Sequence, residues 1–337
     1  MDVNLWSCDE SARSRLGWDW WWIHLFLEGP RPRHVMTLWS HRAKEARIND
    51  VRYKPFAPRK SGGDVVFPTL IGGWSYSGGC VVTHPVKVGS ARGFDDGMEY
   101  DKGNVFKTEG EGLRFNADCA GERYNVLLSP WNKQQGIMTS CGTKAGYGYG
   151  IITAINLKAE GTLESGGTIT PALGSAYFQK VTVNVPMSPW YWGVAHGNRG
   201  DYVDYFFPYL GSAVLNRRGS LVAASKQKRF PFIRMFGLRH NESKTSAQFG
   251  NAKIEVTPDE ETPSYTITAK RGREKAKAVF QTLGRARFVV KTSMLFHYNG
   301  FPAELVEFEY EKDGERITLS DFGKAQASCE HTWGTII

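Results

Sequence analysis

The polar side chains best placed to do chemistry stand among aromatics near the middle of the 337-residue chain. Tyr177, Gln179, Trp190, Trp192, His196 and Asp204 fall within one short stretch there, and Lys180 lies among them. Large apolar walls with a few fixed polar groups are what a pocket for an apolar molecule requires. If residues 188–196 are extended, Trp190, Trp192 and His196 share one face. The same tryptophans would serve equally well in a core, and His196, beside the Gly197-Asn-Arg-Gly200 turn, also suits an exposed position. Glu330 stands in a strand-like run near the end of the chain. Turned into an apolar interior, it would be desolvated, its pKa would rise, and it would become a usable general acid. An outward carboxylate would do none of this. Asp201 and Asp204 pose the same alternative.

No strong catalytic signature accompanies these residues. The chain has no Walker loop, no HExxH and no GxSxG, and Gly73-Trp-Ser-Tyr-Ser-Gly78 lacks the required spacing. Gly146-Tyr-Gly-Tyr-Gly150 is followed by strand-like sequence, with no helix to receive a phosphate. The eight histidines do not cluster at metal-ligand spacing. Cys329 and His331 share a strand face, but two ligands do not make a site. The expectation is a chain without metal or cofactor. A sugar-active protein using tryptophan platforms is weakened by the lack of a carboxylate pair at readable spacing.

The elements that must position these residues read as β structure. Residues 18–39 form two aromatic and aliphatic runs around Glu28-Gly29-Pro30, a hairpin pattern. In the first run Trp20, Trp22, His24 and Phe26 share one face and Trp21, Ile23, Leu25 and Leu27 the other, so both faces are apolar and the strand should be buried on both sides. Residues 41–48 suit a short helix. From 50 to 145 short β-type runs (64–70, 80–88, 124–128) alternate with turn signals at Gly62-Gly63, Gly72-Gly73, Gly78-Gly79 and Asp95-Asp96-Gly97. Residues 147–163 continue the pattern to a turn at Glu164-Ser-Gly-Gly167. Further strand-like runs follow at 202–207, 213–215, 252–257, 264–269, 286–291, 304–310 and 316–319, while 271–283 could be a basic helix or part of a strand pair. Helix is scarce, which argues against an alternating βαβ fold. Trp20-Trp-Trp22 with Glu28-Gly29 recurs as Trp190-Tyr-Trp192 with Arg199-Gly200, about half the chain later, as duplication of one β-domain would give.

Length suits two domains, and 41% hydrophobic residues can supply sizeable cores. The net charge of +8 is spread over short basic groups, including Arg217-Arg218 and Lys226 to Arg229. With no recognisable nucleic-acid module around them, they read as solvated surface rather than a nucleic-acid interface. Peripheral contact with a membrane stays open. Five widely spaced cysteines, none in CxxC and none preceded by a secretory leader, point to a reducing, cytoplasmic setting. No apolar run approaches the roughly 20 residues of a spanning helix, so a soluble protein is expected. The sequence assigns no oligomeric state.

Gly174-Ser-Ala-Tyr-Phe-Gln-Lys180 resembles the Gly-x-Gly/Ala-Tyr-x-Asp-His/Lys-x-Trp motif that closes the first half of the tandem lipocalin-like superfamily, with Thr182 at the closing tryptophan and Trp192-Gly193 as its displaced counterpart. The superfamily includes the carotenoid 1,2-hydratases, the AttH-like proteins and the lipocalin-like Diels–Alderases. Asp19-Trp-Trp-Trp-Ile-His-Leu-Phe-Leu-Glu-Gly29 is similar to the superfamily's opening Glu-Trp-Trp-Tyr strand, and the run from Tyr147 to Leu163 to its Tyr-Ser-Tyr-Tyr segment ending in Gly-x-Leu. Ser328-Cys-Glu-His-Thr-Trp-Gly334 resembles its final strand. The resemblance spans nearly the whole chain and implies an all-β protein of two consecutive lipocalin-like antiparallel β-barrels with little helix, at 1–185 and 186–337. It also implies a hydrophobic ligand held in a barrel or between the barrels. Tyr177 matches the motif tyrosine and Lys180 the His/Lys position. Gln179 stands where the hydratases carry an acid, and an amide cannot protonate an alkene.

The function expected from these observations is binding of a small lipophilic molecule (terpenoid, polyene or polyketide) with its cyclisation, isomerisation or hydration. Pocket shape and a few polar groups would carry the reaction. Tyr177, Lys180, Asp204 and Glu330 are the candidate catalytic groups. Trp20, Trp22, Gln179, Trp190, Trp192 and His196 are the candidate substrate contacts. The alternative is a non-catalytic carrier of a lipophilic ligand.

Overall fold

The computed structural model describes residues 5–6, 16–29, 32–101, 103–132, 135, 138–144, 147–215, 220–323 and 325–336. Strand accounts for 68% of the structure and helix for 5%. The chain divides into two compact units, one formed by Met1–Gly78 and Val82–Pro186, the other by Gly79–Val81 and Met187–Ile336.

In the first unit ten strands follow one another around a closed barrel. They are β1 (Trp18–Leu27), β2 (Arg33–Arg42), β3 (Asp64–Ser77), β4 (Lys87–Phe94), β5 (Gly97–Tyr100), β6 (Asn104–Glu109), β7 (Gly112–Cys119), β8 (Glu122–Ser129), β9 (Tyr147–Ser165) and β10 (Thr168–Val183). Each pairs antiparallel with the next, and β10 returns to β1, from Trp18 opposite Val183 to Leu27 opposite Gly174. Closure removes the free edges that an open sheet would expose. At the β8–β9 seam a Cβ on Gly161 would lie 2.0 Å from the Asn125 carbonyl oxygen, so only glycine lets the ladders meet there. The motif glycine has a parallel reason, since a Cβ on Gly174 would lie 2.0 Å from the Phe26 carbonyl oxygen. Between Ala154 and Leu157 the β9–β10 register shifts, with Asn156 at φ 52°. Gln135 Nε2 donates to the freed carbonyls of Ile155 and Asn156 at 2.7 and 2.6 Å.

The barrel interior is filled by side chains. Trp21, Ile23, Leu25 and Leu27 of β1 meet Trp39, Phe67, Phe106, Phe115 and Phe178, and Trp6 joins them edge-on to Phe106 at 5.1 Å. The other face of β1 is buried as well, as its alternation of two apolar faces predicted.

The second unit repeats this plan. Its main strands are β11 (Trp190–His196), β12 (Tyr202–Leu210), β13 (Met235–His240), β14 (Thr245–Phe249), β15 (Lys253–Val256), β16 (Ser264–Arg271), β17 (Glu274–Thr282), β18 (Leu295–Lys312) and β19 (Gln326–Gly334). They run in sequence from β11 to β14 and from β15 to β19, and β19 returns to β11. The sheet curls around one core that includes Tyr205, Tyr209, Tyr265, Phe280, Phe301 and Trp333, with the ladder open between β14 and β15. Helix α1 (Leu221–Ser225) turns Leu221 and Ala224 into that core. Glu260 accepts from the Leu221 and Val222 amides at 2.9 Å at its start, and Arg229 donates to the Ser225 carbonyl at 2.9 Å at its end. Burial pushes the Glu260 carboxyl up, but the Ser220 hydroxyl, the two amides and Arg285 outweigh it and hold the pKa at about 2.

Three sequence expectations change and one open alternative is resolved. Residues 41–48 are not helical: His41 and Arg42 continue the β1–β2 ladder opposite Asp19 and Trp18, and Ala46–Ile48 is another short strand. Gly72 and Gly73 lie inside β3 rather than in a turn, where a Cβ on Gly73 would lie 2.4 Å from the Met36 carbonyl oxygen. Residues 213–215 belong to a 3₁₀ turn, Ser212–Leu215. The ambiguous 271–283 segment is strand, because Ala276, Ala278 and Phe280 alternate into the core.

Candidate functional site

Strand pairing decides which candidates meet. On β10, Ala176 and Phe178 point into the first barrel, and Lys180 shares their face. Lys180 is fully buried and ion-paired to Asp19, which also accepts from the Thr182 hydroxyl. Its Nζ lies 3.8 Å from the centroid of the Trp21 ring. Tyr177 and Gln179 occupy the opposite face of the same strand. Gln179 Nε2 donates to the Tyr177 hydroxyl at 3.1 Å, and the Tyr177 ring meets Trp22 edge-on at 5.0 Å. Lys180 is therefore separated from the tyrosine and amide that flank it in sequence.

The Tyr177 face also gathers residues that sequence reasoning missed. His24 stacks on Phe26 at 4.3 Å, meets Trp74 edge-on at 5.0 Å and lies 6.0 Å from His34. All four side chains are buried. Trp20 shares the face at the β1 end and is half-buried, with Trp18 edge-on at 6.5 Å. Nothing local in the sequence joins positions 24, 34, 74 and 177; the ladders of β1, β2, β3 and β10 do.

In the second unit Cys329, His331 and Trp333 line one face of β19, in the core, and Glu330 takes the other. Glu330 is nonetheless buried. Trp190 Nε1 donates to its Oε2 at 2.6 Å, and the Tyr298 hydroxyl donates to its Oε1 at 2.5 Å. Burial pushes the carboxyl up to about 7, although both hydrogen bonds favour the ionised form. Thr332 holds the Trp190 backbone, accepting from its amide at 2.7 Å. Trp190 packs on Phe296 at 5.4 Å. Tyr298 and Phe296 gave no sequence signal, because they reach the site only through the β18–β19 register.

Trp192, Asp204 and His196 fall on the same face as Glu330 by strand alternation and pairing. Trp192 is the direct cross-strand partner of Glu330. His196 is buried, not exposed beside the turn. Asp204 is half-buried as a residue, but its carboxyl lies over Gly237, where a Cβ would stand 2.3 Å from Oδ1. Burial pushes it up to about 7. Cys329 and His331 share a face as expected, and among the described residues no group of three metal-ligating side chains occurs. Burial lowers the His331 pKa well below the usual imidazole value, with Arg229 and Arg285 adding to the effect.

The two units place their site residues alike. When Trp20-Trp21-Trp22 is superposed in register on Trp190-Tyr191-Trp192, Gln179 opposite Trp22 corresponds to Glu330 opposite Trp192. Lys180 opposite Trp21 corresponds to His331 opposite Tyr191. The acid missing at Gln179 is present at the equivalent place of the second unit.

No family model matches the chain, and no curated protein matches its sequence. Among solved structures it is similar to a protein described as AttH from Nitrosomonas europaea, with a TM-score of 0.52 and 13% identity over 95% of this chain and 93% of that one. Kievitone hydratase from Nectria haematococca gives a TM-score of 0.48 at 10% identity, covering 97% of this chain and 93% of that one. CghA, solved with Sch210972, gives 0.47 at 8% identity, covering 94% and 88%. Among the described residues no helix is long and apolar enough to cross a membrane. With ten strands closing one barrel in sequence, nine curling around a second core on the same plan, and the AttH structure matched along nearly its whole length, the chain has the tandem lipocalin-like fold.

Proposed function

We propose that the chain binds a small lipophilic molecule of terpenoid, polyene or polyketide type against the face bearing Trp190, Trp192 and Glu330, and catalyses its cyclisation, isomerisation or hydration with Glu330 as proton donor. The observation that carries this reading is the Glu330 carboxyl, buried, held by the Trp190 indole and the Tyr298 hydroxyl, and raised to about 7. A carboxyl with that pKa is about half protonated at neutral pH and can deliver its proton to a substrate carbon or oxygen. The two donors then stabilise the carboxylate left behind, without reorganisation at the moment of transfer. Trp190 and Trp192 supply flat apolar contact that fixes the substrate's conformation, which is where most of the acceleration of a cyclisation or isomerisation arises. Asp204 is a second raised carboxyl on the same face. In the first unit the equivalent place holds no acid: Gln179 is bonded to Tyr177 against Trp22, and an amide has no proton to give at this pH.

The test is organic extraction and mass spectrometry of protein purified from cells, with wild type and Glu330→Gln compared. An apolar compound bound to both forms, converted only by wild type, is the expected result. Identical compounds recovered from both forms, unchanged, would assign the chain to the carriers. No apolar compound with either form would remove the binding step itself.

A further inference from the structure

A separate feature of the second unit goes beyond the reading above and does not rest on it. Large apolar side chains are ordinarily withdrawn from water, and scattered exposed ones need no explanation. Here four occur together. Leu210, Phe230, Phe232 and Ile233 are 54%, 64%, 56% and 44% exposed. Leu210, Phe230 and Phe232 are held by backbone pairing, and Ile233 follows directly. Phe230–Pro231 is a short strand paired to β12, with Leu210 opposite Phe230, and the Phe232 amide donates to the Pro208 carbonyl at 3.1 Å. Gly211, at φ 126°, lets the Lys228 carbonyl approach so closely that a Cβ would lie 2.3 Å from it.

Along this stretch of chain the charge is of one sign. Lys226, Lys228 and Arg234 are exposed beside it, and no Asp or Glu occurs between Asp204 and Glu242. Arg229 does not belong to this rim, because its guanidinium turns back to the Ser225 carbonyl and the rings of Tyr191 and Tyr209. Apolar side chains projecting from a cationic rim match the chemistry of an anionic bilayer surface. The apolar groups enter the headgroup boundary while the ammonium and guanidinium groups stay at the phosphates. A nucleic acid would satisfy the cations and could stack on the phenylalanines, but it would leave Leu210 and Ile233 without an apolar partner.

We infer that Leu210, Phe230, Phe232 and Ile233, with Lys226, Lys228 and Arg234, form a docking surface for an anionic membrane. The surface lies on the face of the bilayer without spanning it.

Co-sedimentation of the full chain with vesicles tests this. Wild type should pellet with phosphatidylserine-rich vesicles at low salt, stay in solution with pure phosphatidylcholine, and release as salt rises. Phe230→Ser with Phe232→Ser, and separately Lys226→Gln with Lys228→Gln, should each weaken vesicle binding by roughly tenfold or more. All of these positions are exposed, so circular dichroism should match wild type. The inference is overturned if wild type ignores phosphatidylserine vesicles, if the phenylalanine pair can be replaced without loss, or if the chain binds an RNA oligonucleotide and no vesicle.

Discussion

Gln179 and Glu330 occupy the same place in the two successive units, each opposite the last tryptophan of its unit's Trp-x-Trp run, Trp22 in the first and Trp192 in the second. The first unit holds an amide there and the second a carboxyl raised to about 7. If proton donation belongs to the second unit, Glu330→Gln should lower turnover by about 10²–10⁴ with ligand affinity little changed. Glu330→Asp should recover part of that loss. Product formation and binding measured on the same samples separate the two effects.

Glu330 also ties stability to pH. Its folded pKa, about 7, lies above the ordinary value of 4.5 for the free side chain. A raised carboxyl binds its proton more tightly when folded, so its contribution is fully present below about 4.5 and is lost as pH rises through about 7. The span corresponds to at most about 3 kcal/mol. Denaturation of wild type should show stability falling between those limits, and Glu330→Gln should flatten the profile. Asp204, raised for the same reason, leaves a residual slope of the same sign.

The pair of Lys180 and Asp19 sits in the first barrel with both side chains fully buried. Removing one partner strands a charge in an apolar interior, so Lys180→Met or Asp19→Asn alone should destabilise by about 3–5 kcal/mol. The double replacement should cost less than the sum of the two singles. Chemical denaturation followed by tryptophan fluorescence measures this, since Trp21 lies against the Lys180 ammonium.

Gly161 closes the first barrel by bringing β8 and β9 into contact that no Cβ allows. Gly161→Ala should therefore cost about 1–3 kcal/mol through forced backbone shifts. Gly166→Ala provides a contrasting control, because that residue, at φ 58°, meets only the strain of its turn, with nothing within 4 Å of its Cβ position. Hydrogen exchange should locate the Gly161→Ala loss in amides of the 122–129 and 158–165 segments.

What could be read from the sequence alone is what depends on neighbours along the chain. The two apolar faces of residues 18–27, the hairpin at Glu28-Gly29, the turns at Gly62-Gly63 and Gly166-Gly167, and the scarcity of helix all follow from a two-residue period and from turn chemistry, and the structure agrees. The recurrence of Trp-x-Trp marked the opening strand of each unit for the same reason. Residues 41–48 misled because their polar spacing imitates a helix, while the ladder to β1 continues through Arg42. The site was legible only as residue types. Trp190 and Glu330 are 140 positions apart, and the hydrogen bond between them is made by the β11–β19 pairing. Strand alternation shows that Gln179 and Lys180 must part, but only the closed barrel places Asp19 beside Lys180. The raised pKa of Glu330 rests on desolvation, a property of everything packed around the carboxyl, which tertiary structure alone decides.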